Sequence, residues 1–491
     1  MKASDALVAE LKRQKVKYIF GVPGEENLDL LDSISRSRIP FILTRHEQAA
    51  GFMAATIGRL TGKAGVALST LGPGATNLAT AAAYATLGAM PAVFFTGQKT
   101  SARRNQGAFQ IVDTVSMFKP LTRFSASIGS AERVVPLARK AFATAEGERP
   151  GATHLALPEN IASAETAKPE TTSLPVRGPV PPNKRSLLLA VKVLRGARRP
   201  VILIGMRANT PAISRGLSAF IQETGIPFAT TQLCKGSVRE DHPLYLGTTA
   251  VTDNDCVHAI LNNADLILCV GHENTEKPPF VRQKGGPQVI HMNFTVAGSE
   301  PIYIPDSEIV GDIALGLREL RKHLAGKKPW EPAWFREGKR EMDTRIGECV
   351  DSPRFPLLPQ RIVADVRSAM PENGIVVLDN GMYKLWFARN YRAFLPNTLL
   401  LDNALATMGA GLPSAIAAKL LYPKRKVLAV SGDGGFMMSS QELETVVRLK
   451  LDLVVVIIRD DGFGMIQWEQ EMKGFKQFGL SYGNPDFPEY A

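Results

Sequence analysis

The chain has 491 residues, 45% of them hydrophobic and 21% charged, an ordinary balance for a globular protein with room for about three domains of about 150 residues each. No apolar run reaches the roughly 18 residues of a membrane span, and four scattered cysteines (Cys234, Cys256, Cys269, Cys349) without CxxC pairing argue against a zinc site or disulfide framework and for reduced, cytoplasmic thiols. The formal net charge of +11 is dispersed along the chain, which fits a solvated basic surface that attracts anionic ligands rather than a nucleic-acid stripe.

The opening segment, MKASDALVAELKRQ, has an amphipathic helical pattern, not the basic-then-apolar order of a signal peptide. Short apolar runs then alternate with helical patterns, which predicts an α/β protein of three doubly wound parallel-sheet domains. The first, over residues 1–165, has strands near 18–21, 41–44, 65–69 and 92–96, with helices over 46–60 and 75–87. The Pro-rich stretch 168–184 reads as an extended linker. A second domain over 185–325 starts its sheet at 200–205 and has a strand at 265–271; the polar segment 326–355 reads as another linker with some helix. The third domain, 355–491, has strands at 375–378, 426–431 and 453–458.

Three segments carry chemistry. In the third domain a strand runs into Gly432-Asp433-Gly434-Gly435, a helix follows, and a second strand ends at Arg459-Asp460-Asp461-Gly462. A right-handed βαβ unit brings Asp433 and Asp460 to the same sheet edge, and the glycines clear space for a diphosphate. Two hard oxygen ligands plus phosphate oxygens and water suit Mg²⁺. Two turn aspartates after strands would look the same. In the first domain, Glu47 follows a strand and opens a helix whose next residues, Ala49, Ala50, Phe52, Met53, Ala54 and Ile57, are apolar. At a helix N-terminus such a carboxylate is ordinarily a surface charge; beside a dry wall its protonation becomes tunable. Gly72-Pro73-Gly74-Ala75-Thr76-Asn77 is either a plain turn or a backbone shaped for close approach of a flat ligand. No GxGxxG follows the first strand of any domain, which removes the usual nicotinamide fingerprint.

Taken in order, YIFGVPGEENLDLL (18–31), TRHEQAAGFMAATIGRLTGKAGV (44–66), LGPGATNLATAAAYATLGAMPAVFFTGQK (71–99), GAFQIVDTVSMFKPLT (107–122), NALATMGAGLPSAI (403–416) and SGDGGFMMSSQELETVVRL (431–449) resemble the thiamine-diphosphate-dependent acetolactate synthase large-subunit family. The resemblance implies pyrimidine-binding, central and diphosphate-binding domains, with thiamine diphosphate and Mg²⁺ as cofactors. It implies condensation of two pyruvates to 2-acetolactate and CO₂ through a hydroxyethyl carbanion on the cofactor. By position, Glu47 is the acid that protonates the aminopyrimidine, Met408 the apolar wedge that bends the cofactor, and Ala406 a backbone contact. Asp433, Asp460 and the Gly462 carbonyl are the metal ligands; Gly381, Met382, Tyr383 and the Gly432–Gly435 turn hold diphosphate, and Gly72, Pro73, Gly74 and Asn77 line the cofactor. Gln110 is placed among the catalytic residues, and Phe109, Gln110 and Lys277 line the substrate pocket. The family's site lies between subunits, which implies a homodimer or homotetramer, with no nucleic-acid or membrane partner.

Several positions depart from the family pattern. Arg459-Asp460 replaces the common pair of asparagines, and His272-Glu273-Asn274-Thr275-Glu276-Lys277 stands where the biosynthetic branch has an Arg-Phe-Asp-Asp-Arg segment linked to flavin; no FAD is expected. Trp468 comes three residues after Met465, leaving Glu469 where that branch selects 2-oxobutyrate, which favours pyruvate in both roles. The family normally continues past the position of Ala491, so the third domain is expected to be truncated. Two alternatives stand: another thiamine-diphosphate decarboxylase, lyase or acetyltransferase on the same scaffold, and a non-catalytic binding protein that kept the fold.

Overall fold

The computed structural model describes residues 1–100, 109–168, 178–249, 251, 256–280, 284–298 and 300–491. Its strands form three parallel sheets. The first holds β1 (Ile19–Gly21), β2 (Phe41–Leu43), β3 (Gly65–Ser69), β4 (Ala92–Gln98), β5 (Phe124–Ser127) and β6 (Ala152–Pro158), in the order β2-β1-β3-β4-β6-β5. The second holds β7 (Pro200–Ile204), β8 (Phe228–Thr230), β9 (Tyr245–Thr248), β10 (Leu266–Val270), β11 (Gln288–Asn293) and β12 (Ser307–Val310), in the order β12-β11-β10-β7-β8-β9. The third comprises β13 (Ile375–Leu378), β14 (Leu399–Leu400), β15 (Val427–Gly432) and β16 (Val454–Ile458). The expected α/β class with three parallel sheets is therefore observed. Sheets covered on both faces need continuously apolar strands, and β3, β4 and β6 are buried along their whole length.

The chain divides into two compact units. One contains residues 1–174 and 404–491. In it the helix Glu47–Thr61 is a central element, buried at 11 of its 15 positions and closed by Gly62 in the left-handed conformation. Small residues let neighbours come close: a Cβ at Gly58 would stand 2.0 Å from the Pro91 carbonyl oxygen, and one at Gly51 would stand 2.4 Å from the Ala81 Cβ. The helix Gly411–Leu421 packs on the same element, with Thr56 and Ser414 sharing a buried 2.9 Å hydrogen bond. Phe52, Met53, Leu412, Ile416 and Phe436 accordingly belong to one core, built from both ends of the sequence. In this unit β15 pairs with β16 in parallel, Gly432 opposite Ile458.

The other unit contains residues 175–403. Successive residues of a strand face opposite sides of a sheet, and β7 shows it: Ile202 and Ile204 enter one core, Val201 and Leu203 the other. In the same unit β13 pairs in parallel with β14.

The nine strands read from the sequence are present, and β5, β6, β8, β9, β11, β12 and β14 are additional to them. The helix expected over 75–87 starts at Gly72 instead, with Pro73 in its first turn where a missing N–H costs nothing, and a second segment runs over Ala79–Leu87. The 326–355 segment contains the helix Arg336–Gly347. Residues 169–177 of the expected linker lie outside the described residues. Among the described residues no helix is long and apolar enough to cross a membrane.

Candidate active site

Glu47 is the first residue of its helix, where the amide dipoles favour a carboxylate. It is not the surface charge that this position suggests in isolation, because its exposure is 9%. Asn77 donates its side-chain amide to Glu47 Oε2 at 2.9 Å. The other oxygen faces Gly74, where a Cβ would stand 3.1 Å away. Gly72 has φ +42°, and a Cβ there would meet the Gln110 carbonyl oxygen at 2.5 Å. The first sheet thus brings Glu47, the Gly72–Asn77 segment and the Gln110 backbone together. Phe109 does not join them in a core; it is 79% exposed.

Asp433 follows β15, and its side chain is buried. Its Oδ1 accepts from the Gly434 N–H at 2.8 Å, and its Oδ2 from the N–H groups of Asp460 (3.3 Å) and Asp461 (2.8 Å). The strand-end geometry read from the sequence is therefore present. Burial and the negative charge of Asp433 push the Asp460 carboxyl up to about 6. The Tyr482 hydroxyl lies 2.9 Å from Asp433 Oδ1 and 3.2 Å from the Gly462 carbonyl, and its single proton serves only one of them. Acceptor oxygens converging on one point are what a hard cation requires. Asn484 adds a third donor to Asp433 Oδ2 at 2.8 Å. Arg459 turns to Asp461, 2.8 Å away, rather than to Asp433. Among the described residues no group of three or more His, Cys, Asp or Glu side chains is gathered for a metal.

In the same unit, Ala406 is exposed and Met408 half-buried, on a loop that passes through Gly409 at φ +84°. A Cβ at Gly434 would stand 2.5 Å from the Tyr482 hydroxyl oxygen, so the turn has no room for a side chain. Trp468 and Glu469 sit on the helix Gly464–Met472, none of whose residues is buried.

In the other unit, Gly381 and Met382 lead into the helix Tyr383–Asn390. Lys384 in that helix is buried and donates to Asn380 Oδ1 at 2.7 Å and to the Asp402 carbonyl at 2.8 Å. Burial pushes its ammonium down to about 8, and the positive charge of exposed Lys277 adds to the effect. Glu276 fills the position between the ends of β7 and β10, where the strand order reverses. Its carboxylate accepts the Met206 N–H at 3.0 Å and the Glu273 N–H at 3.2 Å, and the Thr231 hydroxyl also donates to it. Doubly wound sheets ordinarily receive a dinucleotide pyrophosphate at that reversal.

Several polar residues of these sites were not singled out by the sequence reading. Glu26 is buried, with the Lys99 ammonium at 2.6 Å and the Thr70 hydroxyl at 2.5 Å. Burial pushes its carboxyl up, but these two hydrogen bonds outweigh that and hold it below the usual range. Its segment, GVPGEENLDLL, carries part of the family resemblance, yet nothing in one sequence pairs residue 26 with residue 99. Tyr482 and Asn484 were equally invisible, lying 49 and 51 positions from the aspartate they touch.

Family models match along the chain in order: the thiamine pyrophosphate enzyme N-terminal TPP binding domain at residues 1–117, the central domain at 188–320, and the C-terminal TPP binding domain at 379–491. The chain is 33% identical to a protein named "Acetolactate synthase, catabolic" from Raoultella terrigena, over 99% of this chain and 88% of that protein. It is 31% identical to an acetolactate synthase of Bacillus subtilis (strain 168), over 100% of this chain and 87% of the relative. A putative thiamine pyrophosphate-containing protein, YdaP, of the same organism is 29% identical, over 100% of this chain and 85% of its own length.

Proposed function

The chain belongs to the acetolactate synthase family of thiamine-pyrophosphate enzymes, and on that premise we propose that it condenses two pyruvate molecules to 2-acetolactate with loss of CO₂. The observation that carries the reading is a nearly enclosed Glu47, held by Asn77, accompanied by a separate set of converging oxygens from Asp433, Asp460 and Gly462. When bound, thiamine diphosphate supplies an electron sink for the pair released with CO₂.

The residues suit that cofactor. Glu47 offers a carboxyl in a low-exposure position, able to hold or release a proton at one aminopyrimidine nitrogen while Asn77 fixes its orientation. Asp433, Asp460 and the Gly462 carbonyl offer hard oxygen donors for Mg²⁺, and the Tyr482 hydroxyl that lies against Gly434 would have to withdraw for phosphate oxygens to reach the turn. Gly381, Met382 and Tyr383 are assigned to the diphosphate and Met408 to the bend of the cofactor, both from family position. Phe109, Gln110 and Lys277 are assigned to the substrate pocket on the same ground. Two copies of the chain are the minimal assembly in this reading.

FAD is not part of this reading, and the central sheet supports that at the reversal between β7 and β10. Glu276 already takes the backbone N–H that a pyrophosphate would use, and its charge would repel one. Catalysis is assigned to thiamine diphosphate and Mg²⁺ alone.

Product analysis after incubation with pyruvate, thiamine diphosphate and Mg²⁺ tests the proposal. Acetolactate is expected. Acetaldehyde as sole product would reassign the chain to the simple decarboxylases. Tyr482 and Asn484 on Asp433 favour a second reading, a non-catalytic binding protein that kept the fold; absence of heat on titration with millimolar cofactor and Mg²⁺, joined to absence of any product, would establish it.

A further inference from the structure

Glu47 depends on a short loop. The last sheet hydrogen bond of that segment is Thr44 N–H to the Gly21 carbonyl at 3.0 Å, and the helix starts three residues later, at Glu47. Between them, the N–H groups of Arg45 and His46 have no partner in either the sheet or the helix ladder. Both donate to one oxygen of Glu442, at 2.9 and 3.2 Å. The other Glu442 oxygen accepts the Thr445 hydroxyl at 2.7 Å. One helical turn further on, the Arg448 guanidinium donates to the Leu43 carbonyl at 2.5 Å and pairs with Glu444 at 2.9 Å. The segment 442–448 therefore grips the end of β2 and the loop after it at two points, one through N–H groups and one through a carbonyl.

Glu442 itself is fully buried, and among the described residues no cation is bonded to it. A buried carboxylate is costly, and a neutral amide could have met the same two N–H groups. Burial raises its carboxyl above the usual range, and the hydrogen bonds from Thr445, Arg45 and His46 only partly offset that.

We propose that Glu442 is a positioning residue for Glu47: by fixing the Arg45 and His46 amides it sets where the Glu47 carboxyl meets the aminopyrimidine ring. The inference rests on the role proposed above for Glu47. Glu442 lies nine residues after Asp433 in the same chain, so one short segment carries both a metal ligand and the clamp on the acid. A shift of the Arg45–His46 backbone that leads into Glu47 would break two hydrogen bonds to Glu442. A displacement of about 1 Å at a reacting group can cost about a hundredfold in rate, which sets the scale of the effect.

The test measures hydrogen–deuterium exchange at the thiazolium C2 of bound thiamine diphosphate, by quenched flow and NMR, with cofactor affinity from calorimetry. Glu442→Ala and Glu442→Asp, which withdraws the carboxylate by about 1.5 Å, are expected to slow exchange about 30- to 100-fold. Cofactor affinity should change by less than about threefold, below the loss of one hydrogen bond. Glu442→Gln keeps an oxygen in place and should exchange within about threefold of the parent, a rescue that a demand for charge would not give. If Glu442→Ala fails to fold, the Asp and Gln variants decide. Parent-like exchange in both the Ala and Asp variants, or in the Asp variant alone should the Ala variant be unfolded, would overturn the inference and leave Glu47 untouched. A parent chain that does not accelerate exchange over free cofactor would instead remove the Glu47 role, and the inference with it.

Discussion

Replacing Glu47 by Gln separates proton transfer from binding. Gln has nearly the volume of Glu, and its amide oxygen can still accept from Asn77 Nδ2, which lies 2.9 Å from the present carboxylate. The helix start and the packing against Gly74 therefore persist. The cofactor loses at most one neutral hydrogen bond, about 1 kcal/mol, or roughly fivefold in affinity. An amide carries no exchangeable carboxyl proton, so the step that depends on it should slow by about 10²- to 10⁴-fold, the usual share of a positioned acid or base. The assay is acetolactate formation at saturating pyruvate, paired with calorimetric titration of thiamine diphosphate in the presence of Mg²⁺. Turnover within about threefold of the parent, at comparable affinity, would refute the reasoning and remove Glu47 from the chemistry. Glu47→Ala is the harsher control: it leaves the Asn77 amide unpaired, and a lower melting temperature should accompany its loss of activity.

Three further outcomes follow from the Asp433 side. Asp433→Ala should abolish the Mg²⁺ dependence of cofactor affinity; calorimetry with and without Mg²⁺ checks it, and an unchanged Mg²⁺ response would contradict the ligand assignment. Asp460 has a folded-state value of about 6 against an ordinary 3.8, so its favourable contribution to the metal-free protein is complete below pH 3.8 and is lost as pH rises through about 6. Mg²⁺ affinity should run the opposite way, rising with pH to a plateau above about 6, and titrations at pH 5, 6 and 7 would detect this; Asp460→Asn should flatten the profile. Tyr482→Phe combined with Asn484→Ala frees two acceptor positions on Asp433, and Mg²⁺ should bind more tightly by about tenfold if each lost hydrogen bond is worth about 0.7 kcal/mol. Weaker Mg²⁺ binding in that double variant would show that the two side chains support the site rather than compete for it.

What one sequence discloses here divides by range. Strands with a dense apolar run were legible: β3 and β13 have the limits the residue pattern indicates, because parallel strands are covered on both faces and the alternation of solvent-facing residues disappears. β5 was missed, because Phe124–Ser127 is half-buried at a sheet edge and two of its four residues are serines. Asp433 and Asp460 were legible as a pair, since strand, crossover and parallel strand leave little choice about where the ends emerge. Glu47 was only half legible. Its place at a helix start follows from the local pattern, but its enclosure comes from Gly74 and Asn77, some thirty positions away. Glu442 was read simply as part of a connecting helix, and the amides it satisfies lie nearly 400 residues upstream. The association of 404–491 with 1–174 in one unit likewise depends on helix packing between distant segments, which propensity and periodicity do not encode.

Crystals of the chain soaked with thiamine diphosphate and Mg²⁺ would test most directly whether Glu47 and the Asp433–Asp460 pair serve one coenzyme. The expected density has the metal on Asp433, Asp460 and the Gly462 carbonyl, with Tyr482 and Asn484 moved aside and the aminopyrimidine ring against Glu47 of a neighbouring subunit. A cofactor bound away from either group, in every assembly the crystal contains, would contradict it.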